Sequence, residues 1–287
     1  MNSQTILITG ATNGIGLQTA KVLAGMGHDV LVHGRDACKG AAAVDALRAG
    51  GAKGEVRFMQ ADLASLTDVR RLAQEVGESV RRLDVLVNNA GCANFLRSVT
   101  VDGYERTFAV NHLAPFLLTN LLLDKIKHSA PARIVNVASA AHRHKHIDFD
   151  DLMSERRYTT MEVYGRSKLA NILFTRSLAK RLAGSGVTAN ALHPGVVHTG
   201  IGQNNWFTRI IGQVVMRVLG VPVEEGAETS IYLATSAEVA GQSGLYYKKC
   251  KATALATTPA ALTEEVAERL WQVSEKLVGL STEGNHA

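Results

Sequence analysis

A tyrosine and a lysine stand four residues apart in the segment YGRSK, as Tyr164 and Lys168. In a helix, this spacing places the phenol and the ammonium group on one face, one turn apart. Oxidation of an alcohol requires a base that takes the hydroxyl proton, but an ordinary phenol, with a pKa of about 10, stays protonated at neutral pH. Because a nearby positive charge favours the phenolate, we expect Lys168 to lower the pKa of Tyr164. The pair indicates proton transfer at a carbonyl or alcohol oxygen.

Two further polar residues suit the same chemistry. Ser139 ends the segment VNVAS and can donate a hydrogen bond that orients a substrate oxygen. Asn111, in the segment FAVNH, can hold a water or a main-chain carbonyl that leads to Lys168. Each of the four residues also has an ordinary structural interpretation, as a helix cap, a half-buried aromatic, a solvated lysine or a buried amide. Their occurrence together behind a glycine-rich turn favours the catalytic interpretation.

The glycine-rich turn is the segment TGATNGIG, which follows a short apolar segment. Gly10, Gly14 and Gly16 have the spacing GxxxGxG, and such a turn lets backbone N–H groups and a helix N-terminus approach a pyrophosphate. A glycine turn alone is equally consistent with a purely structural turn. Its position between a predicted strand and a predicted helix favours a dinucleotide-binding site.

The residues that follow the second, third and fourth predicted strands indicate which dinucleotide binds. Arg35 follows the second predicted strand, where an arginine matches a ribose 2′-phosphate and an acidic residue would match a 2′-hydroxyl. Gly34 leaves room beside it. We therefore expect NADP(H) rather than NAD(H), with a solvated surface arginine as the alternative. Asp62 suits either the adenine amino group or a helix cap, and residues 89–91 of NNAG suit either the adenosine ribose or a turn.

The elements that must position these residues alternate along the chain. Apolar segments of strand length are separated by amphipathic segments of helical length, which is typical of a parallel sheet covered on both faces. We predict an α/β protein of one domain over residues 1–287, a Rossmann fold with a doubly wound, mostly parallel sheet of seven strands and helices on both faces. The strands are expected at Thr5–Ile8, Asp29–His33, Val56–Gln60, Val85–Asn88, Arg133–Ala138, Thr188–His193 and Leu245–Tyr247. The helices are expected at Leu17–Met26, Asp68–Arg81, Ala114–Ile126, Ser167–Leu182, Glu224–Ala234 and Thr263–Val278.

The composition excludes several other classes of protein. The chain has 287 residues and a net charge of +5, with scattered rather than clustered lysines and arginines, so we expect no nucleic-acid partner. Cys38, Cys92 and Cys250 lack CxxC spacing and predict reduced thiols rather than disulfides or a zinc site. No apolar segment approaches the roughly 18 residues of a membrane span, and no basic leader precedes the first strand. We therefore expect a soluble, cytoplasmic protein.

Three segments are expected to face the substrate, namely residues 92–97, 140–163 and 199–222. The last segment carries an apolar stripe at roughly helical spacing, between Trp206 and Val218, which suits a lid over an apolar carbonyl substrate. A helix that packs on the core or on a second subunit is an equal alternative. Three histidines share one face if the segment HRHKH is extended, but no carboxylate or cysteine has ligand spacing around them, so we predict no metal site. These histidines are His142, His144 and His146.

In its motifs the chain resembles the short-chain dehydrogenase/reductase family, over nearly its whole length. The resemblance is carried by TGATNGIG, Asp62-Leu63, NNAG, Asn111, Ser139, YGRSK and Pro194-Gly195. It implies that Tyr164 transfers the proton while Ser139 orients the carbonyl. It also implies that Lys168 contacts the ribose and tunes the pKa, and that Asn111 holds a proton relay. The cofactor-binding residues that the resemblance implies are Gly10, Thr12, Asn13, Gly14, Ile15, Gly16, Arg35, Asp62, Leu63, Asn89, Ala90, Gly91, Tyr164, Lys168, Pro194, Gly195, Val197 and Thr199.

Within that family, the segments YGRSKLANILFTRSLAKRL and HPGVV resemble the retinol-dehydrogenase-like and WW-domain-oxidoreductase-like branch. The resemblance implies an oxidoreductase that interconverts a carbonyl compound and its alcohol. Arg35 favours NADP(H) as its cofactor, and the apolar stripe between Trp206 and Val218 favours a small, fairly apolar substrate. One alternative is a noncatalytic NAD(P)-binding regulator or scaffold on the same fold, which would not need Tyr164 and Lys168. Another is a sugar-nucleotide epimerase or dehydratase, which usually carries a larger C-terminal substrate domain. A homodimer or homotetramer is compatible with the family, through the helices predicted at Ala114–Ile126 and Ser167–Leu182.

Overall fold

A computed structural model describes residues 3–195 and 222–280 of the chain. Its strands are β1 (Thr5–Ile8), β2 (Asp29–Gly34), β3 (Val56–Gln60), β4 (Val85–Asn88), β5 (Ala132–Val137), β6 (Val187–His193), β7 (Tyr246–Lys248) and β8 (Lys251–Ala252). Within the described residues they form one sheet in the order β3–β2–β1–β4–β5–β6–β7–β8. Strands β1 to β7 are parallel, and β8 runs antiparallel to β7. The prediction of seven strands did not include β8, because the two exposed residues of this strand carry no apolar pattern.

Helices cover both faces of this sheet, which confirms the predicted doubly wound Rossmann fold. They are α1 (Gly14–Gly25), α2 (Ala37–Ala49), α3 (Leu66–Ser79), α4 (Arg106–Phe108), α5 (Ala114–His128), α6 (Thr160–Arg181), α7 (Val223–Thr235) and α8 (Glu264–Val278). Successive residues of a strand point to opposite faces of the sheet. Accordingly, Leu7 packs in a buried cluster with α3, α5, α6 and α8, whereas Ile6 and Ile8 pack in a second cluster with α1, α2 and α7. None of the described helices is long and apolar enough to cross a membrane.

Two helical segments carry candidate catalytic residues. Helix α6 begins at Thr160, earlier than the predicted Ser167, so both Tyr164 and Lys168 lie within it. Between α4 and α5 the chain forms a π-helical segment, Ala109–Leu113, which contains the predicted Asn111. Segments of this kind are rare in proteins and occur frequently at functional sites.

Helix α2 has no counterpart among the predicted helices. Its sequence, ACKGAAAVDALRA, is rich in alanine and has little apolar contrast between its faces, so periodicity gives a weak signal. Asp36 begins the helix by accepting a hydrogen bond from the Lys39 N–H at 3.0 Å. Local capping, rather than an apolar stripe, marks where this helix starts.

The last helix, α8, packs against α5 and α6, the two helices considered above for a dimer contact. The ring centroid of Trp271 lies 4.9 Å from that of Phe116 and 5.7 Å from that of Phe174. The Arg181 guanidinium lies 3.9 Å from the Trp271 ring centroid and donates to both carboxylate oxygens of Glu268. Part of the α5–α6 face is therefore covered by the chain itself.

Candidate active site

The candidate residues lie at the carboxyl ends of the parallel strands. Gly10 follows β1, Arg35 follows β2, and Asp62 follows β3, while Asn89 and Ser139 follow β4 and β5. The strand order reverses between β1 and β4. In open parallel sheets, ligands bind at this edge, beside the point where the order reverses. The topology therefore brings the predicted cofactor and catalytic residues to one crevice.

Two glycines of the turn after β1 have a backbone conformation that other residues rarely adopt. The φ angle is +64° at Gly10 and +53° at Gly14. A Cβ atom at Gly10 would lie 2.9 Å from Cα of Ala90, and one at Gly16 would lie 2.5 Å from Nδ2 of Asn89. The turn therefore requires glycine for its conformation and for its close contact with the residues after β4.

The turn leads into the N-terminus of α1, which suits an anion. The first turn of α1 contains no acidic side chain, and within the described part of the chain the Asn13 side chain makes no capping hydrogen bond. The leading N–H groups are thus left for a ligand, and the helix dipole favours negative charge there. Ile15 is buried within this first turn. The arrangement fits the pyrophosphate of a dinucleotide.

The NNAG segment supports the glycine turn from the neighbouring strand. Asn89 Nδ2 donates to the carbonyls of Thr9 and Gly10, at 2.8 and 3.1 Å. The Thr9 hydroxyl oxygen accepts from the N–H groups of Asn89 and Ala90, at 3.0 and 3.1 Å. The sequence predicts residues 89–91 beside the ribose but carries no signal for this support of the turn, because it depends on a contact between β1 and β4.

Arg35 is exposed where β2 ends. The carboxylate of the next residue, Asp36, is engaged as the cap of α2 through the Lys39 N–H. A Cβ atom at Gly34 would lie 2.5 Å from Cγ2 of Thr12, so the end of β2 directly adjoins the glycine turn. A guanidinium in this position is compatible with a 2′-phosphate.

The Asp62 carboxylate contacts two neighbouring groups and is partly exposed. Its Oδ1 accepts from the Ala64 N–H at 3.0 Å within the turn before α3, and the capping alternative was wrong, because Ser65 caps that helix. Its Oδ2 lies 3.8 Å from the Arg106 guanidinium, and the side chain is 45% exposed. The carboxylate can therefore still accept a hydrogen bond from a ligand, while the adjacent Leu63 is buried.

Ser139 and Tyr164 meet between the end of β5 and α6. The Ser139 hydroxyl oxygen accepts from the Ala141 N–H at 3.2 Å, and the hydroxyl lies beside the Tyr164 phenol. Burial raises the pKa of Tyr164, and the interaction with the Ser139 hydroxyl opposes this shift. The prediction that Lys168 lowers the pKa of Tyr164 was wrong in direction, because desolvation of the phenolate dominates. At neutral pH Tyr164 is therefore a protonated phenol.

Lys168 is buried one helical turn beyond Tyr164. Its Nζ donates to the Val137 carbonyl at 2.9 Å and lies 5.7 Å from the centroid of the Tyr164 ring. Burial lowers the pKa of Lys168 to about 8, so the group is still mostly an ammonium at neutral pH. A Cβ atom at Gly91 would lie 3.2 Å from Nζ, so a larger residue there would crowd the ammonium.

Asn111 is fully buried, and its amide holds the main chain of Cys92. Nδ2 donates to the Cys92 carbonyl at 2.9 Å, and Oδ1 accepts from the Cys92 N–H at 2.7 Å. Nδ2 also donates at 2.9 Å to the hydroxyl of Ser167, the residue before Lys168. Burial raises the pKa of the Cys92 thiol to about 11, so this thiol stays protonated. Neither Cys92 nor Ser167 is predicted from the sequence to contact Asn111, since both contacts join segments that are distant in the chain.

Two buried histidines hold the turn that carries Ser139. His142 Nδ1 donates to the Ser139 carbonyl at 2.6 Å, and His193 Nδ1 accepts from the N–H of the residue after Ser139 at 3.3 Å. Burial lowers the pKa of both histidines, that of His193 to about 4, so both are neutral at pH 7. The segment HRHKH is not extended: His142 is buried in a 3-10 turn, while His144 and His146 are exposed.

Exposed apolar side chains lie in the segment after NNAG and at the start of α6, the helix that carries Tyr164. Phe95 is 48% exposed, Leu96 is 78% exposed, and Met161 in the first turn of α6 is 63% exposed. The Thr160 hydroxyl donates to the Phe95 carbonyl at 3.4 Å, which joins the segment after NNAG to the start of α6. This part of the surface would present apolar groups to a substrate.

The loop after β6 is described only in part. Pro194 and Gly195 lie at its start, and φ at Gly195 is +89°. Residues 196–221 lie outside the described residues. These include the predicted contacts Val197 and Thr199 and nearly all of the predicted lid, residues 199–222, so those assignments stay predictions.

The sequence is similar to known proteins over nearly its full length. The family model described as short chain dehydrogenase matches residues 4–209. Retinol dehydrogenase 14 of Mus musculus is 45% identical over 293 residues, which cover 98% of this chain and 87% of that protein. Retinol dehydrogenase 13 of Homo sapiens is 46% identical over 284 residues, which cover 96% of this chain and 85% of that protein.

Several solved structures share the fold. A protein of Mycobacterium paratuberculosis has a TM-score of 0.74 and 34% identity, and the match covers 96% of this chain and 93% of that chain. The complex of Pseudomonas aeruginosa RhlG with NADP has a TM-score of 0.68 and 31% identity, with 86% and 94% covered. A blue fluorescent protein from a metagenomic library, in complex with NADPH, has a TM-score of 0.65 and 26% identity, with 91% and 98% covered. The similarity therefore includes proteins that bind NADP or NADPH.

Proposed function

Because the chain belongs to the short-chain dehydrogenase family and is thus an oxidoreductase that acts on CH–OH groups with NAD(P), we propose that it uses NADP(H) to interconvert a fairly apolar ketone or aldehyde and its alcohol. The observation that carries this proposal is the meeting of Ser139, Tyr164 and Lys168 at the end of β5. A noncatalytic regulator would not need this group of a hydroxyl, a phenol and a buried ammonium.

Proton transfer is assigned to Tyr164. The nicotinamide, when bound, supplies or accepts the hydride. Because burial raises the pKa of Tyr164, the phenol carries its proton at neutral pH and can give it to a carbonyl oxygen. The Ser139 hydroxyl, which lies beside that phenol, can bind the same oxygen and orient it.

Lys168 and Asn111 are assigned supporting roles. The Lys168 ammonium lies close enough to the Tyr164 ring to stabilise the phenolate that forms when the proton leaves. It is also the group we assign to the ribose hydroxyls. Asn111 joins the main chain of Cys92 to Ser167, and so fixes the distance between the loop after β4 and α6. We infer the role of Asn111 in a proton relay from this position.

The cofactor site is proposed to extend from the glycine turn along the edge of the sheet. The N–H groups from Gly14 to Gly16 would bind the pyrophosphate, since the N-terminus of α1 carries no competing acidic residue. Arg35 would bind the 2′-phosphate, which makes NADP(H) the preferred cofactor. Asp62 would accept from the adenine amino group, and residues 89–91 would border the adenosine ribose.

The substrate is proposed to be an apolar carbonyl compound or alcohol. Phe95 and Leu96 follow NNAG, Met161 lies three residues before Tyr164, and all three expose apolar surface. The similar proteins named retinol dehydrogenases are named for an apolar alcohol. Both observations favour a ligand that is held by apolar contacts, with polar recognition limited to the reacting oxygen.

A screen for NADPH consumption tests the proposal. The purified protein is mixed with NADPH and with each member of a panel of ketones, aldehydes including retinal, quinones and steroids, and the loss of NADPH absorbance is followed. We expect substrate-dependent oxidation of NADPH, slower with NADH, and none with the Tyr164→Phe variant. NADPH binding without turnover across the whole panel would instead support a noncatalytic regulator.

A further inference from the structure

A buried histidine, His33, lies between the glycine turn and the end of β3. We propose that His33 is a positioning residue for the cofactor, which sets the glycine turn at a fixed distance from the residues that contact the adenosine end. The inference rests on the cofactor site proposed above and adds to it a residue that makes no contact with the cofactor.

Both ring nitrogens of His33 bind main-chain groups of the site. Nδ1 accepts from the Gly10 N–H at 3.2 Å, and Nε2 lies 3.1 Å from the Ala61 carbonyl oxygen. The side chain is only 3% exposed, so water does not compete for these groups. One imidazole thus joins the first glycine of the turn after β1 to the last residue before Asp62.

These partners require one form of the imidazole. Gly10 offers an N–H, so Nδ1 must be an acceptor, and Ala61 offers a carbonyl, so Nε2 must carry the hydrogen. Only the neutral Nε2–H tautomer satisfies both. Burial lowers the pKa of His33 to about 4, against smaller opposing effects of the hydrogen bond to Ala61 and the charge of Asp62, so this form is held at neutral pH.

The main chain around His33 joins the same segments. The His33 carbonyl accepts from the Ala11 N–H at 2.9 Å, and the Gly34 carbonyl accepts from the Ala61 N–H at 3.1 Å. The next residue, Arg35, is the one assigned to the 2′-phosphate. The side chain and the main chain of His33 therefore fix the position of the glycine turn relative to Arg35 and Asp62, the two residues proposed to contact the adenosine end. If the imidazole bond to Gly10 is lost, the turn can rotate to hydrate the freed N–H and must be reordered when the cofactor binds.

A second histidine provides a matched control at the other end of the same strand. His28 precedes β2, is also 3% exposed, and its Nδ1 accepts from the Gln4 N–H at 3.2 Å. It has the same burial and the same kind of contact as His33. However, it lies at the amino ends of the strands, away from the crevice. Changes at His28 should therefore alter folding stability without altering cofactor binding.

The test is calorimetric titration of NADPH into the full chain and its variants, with folding checked by circular dichroism. His33→Leu keeps an apolar volume but removes the acceptor, and we expect its Kd for NADPH to rise by about tenfold. His33→Asn keeps an acceptor at the position of Nδ1 and should recover most of the affinity. His33→Gln keeps a donor for Ala61 but no acceptor for Gly10, and it should resemble His33→Leu. His28→Leu should bind NADPH like the wild type.

The outcomes separate this inference from the proposed function. Failure of the wild-type protein to bind NADPH would contradict the proposed cofactor. If the wild type binds NADPH and His33→Leu binds it equally well, His33 only fills space and the inference is wrong. It is also wrong if His33→Asn and His33→Gln lose the same affinity, because the acceptor for Gly10 would then not matter. Since the asparagine and glutamine variants are both polar, this comparison holds even where the leucine variant fails to fold.

Discussion

The Nζ atom of Lys168 lies 5.7 Å from the centroid of the Tyr164 ring, and the two residues leave the same face of α6 one turn apart. Burial acts on both groups by disfavouring their charged forms: it raises the pKa of Tyr164 and lowers that of Lys168 to about 8. At neutral pH the pair is therefore a phenol beside a group that is still mostly an ammonium. The fold thus holds a proton on the Tyr164 oxygen and places the Lys168 ammonium beside the same ring.

The Tyr164→Phe variant is expected to lose turnover by at least about a hundredfold, because the phenol is the group assigned to supply the proton to the reacting oxygen. NADPH binding should survive, since the phenol contributes little to holding the dinucleotide. The measurements are kcat on the substrate found by screening and Kd by titration. Tyr104→Phe is the control: it removes a phenol that donates to the Leu277 carbonyl at 2.6 Å and should keep full turnover. Full activity in Tyr164→Phe would exclude the proposed mechanism.

The Arg35→Ala variant is expected to weaken NADPH binding by about tenfold or more, because a charge-assisted hydrogen bond to the 2′-phosphate is lost. NADH binding should change little. The ratio of the two Kd values is the measurement. Arg57→Ala removes a guanidinium on the neighbouring strand β3, where it lies 3.1 Å from Glu55, and controls for the loss of one positive charge. Equal losses for NADPH and NADH would remove the 2′-phosphate role from Arg35.

The Asn111→Leu variant is expected to lower the free energy of unfolding by about 2–4 kcal/mol, because two main-chain groups of Cys92 lose their partner in a buried place. Turnover at saturating cofactor should also fall. Urea denaturation and kcat are the measurements. Asn120→Leu is matched in type, since its amide donates to the Phe116 carbonyl at 2.8 Å from a partly buried position on α5. A smaller loss of stability in Asn111→Leu than in Asn120→Leu would contradict this account.

Much of the site could be predicted because its residues belong to short motifs. The glycine turn and the YGRSK segment each carry their spacing within a few residues, so their side chains are related by local geometry alone. Strands β1 to β7 could also be predicted, since buried parallel strands appear as apolar segments. Helix α2 and strand β8 could not, because neither has an apolar pattern of its own.

The remaining features depend on contacts across the fold. Asn111 and Ser167 are 56 residues apart in sequence, and Asn89 and Thr9 are 80 apart. No local spacing signals such pairs. The direction of the pKa shift at Tyr164 likewise depends on burial, which only the packed structure defines, and burial there outweighs the opposing interaction with Ser139. Sequence motifs therefore give the chemical groups of the site but not their supports or their protonation.

Folding stability is expected to fall as the pH decreases from about 6.5 to about 4. Burial lowers the pKa values of His33, His112 and His193 to about 4, so the unfolded chain binds more protons than the folded chain in this window. Above this pH window the three histidines make their full contribution to the free energy of unfolding, and this contribution is lost as the pH falls through the window. Urea midpoints across the window measure this slope. His112 lies among aromatic rings, 5.1 Å from Phe108, so His112→Phe keeps the packing, removes one titrating group and should reduce the slope. An unchanged slope in His112→Phe would show that this histidine does not contribute.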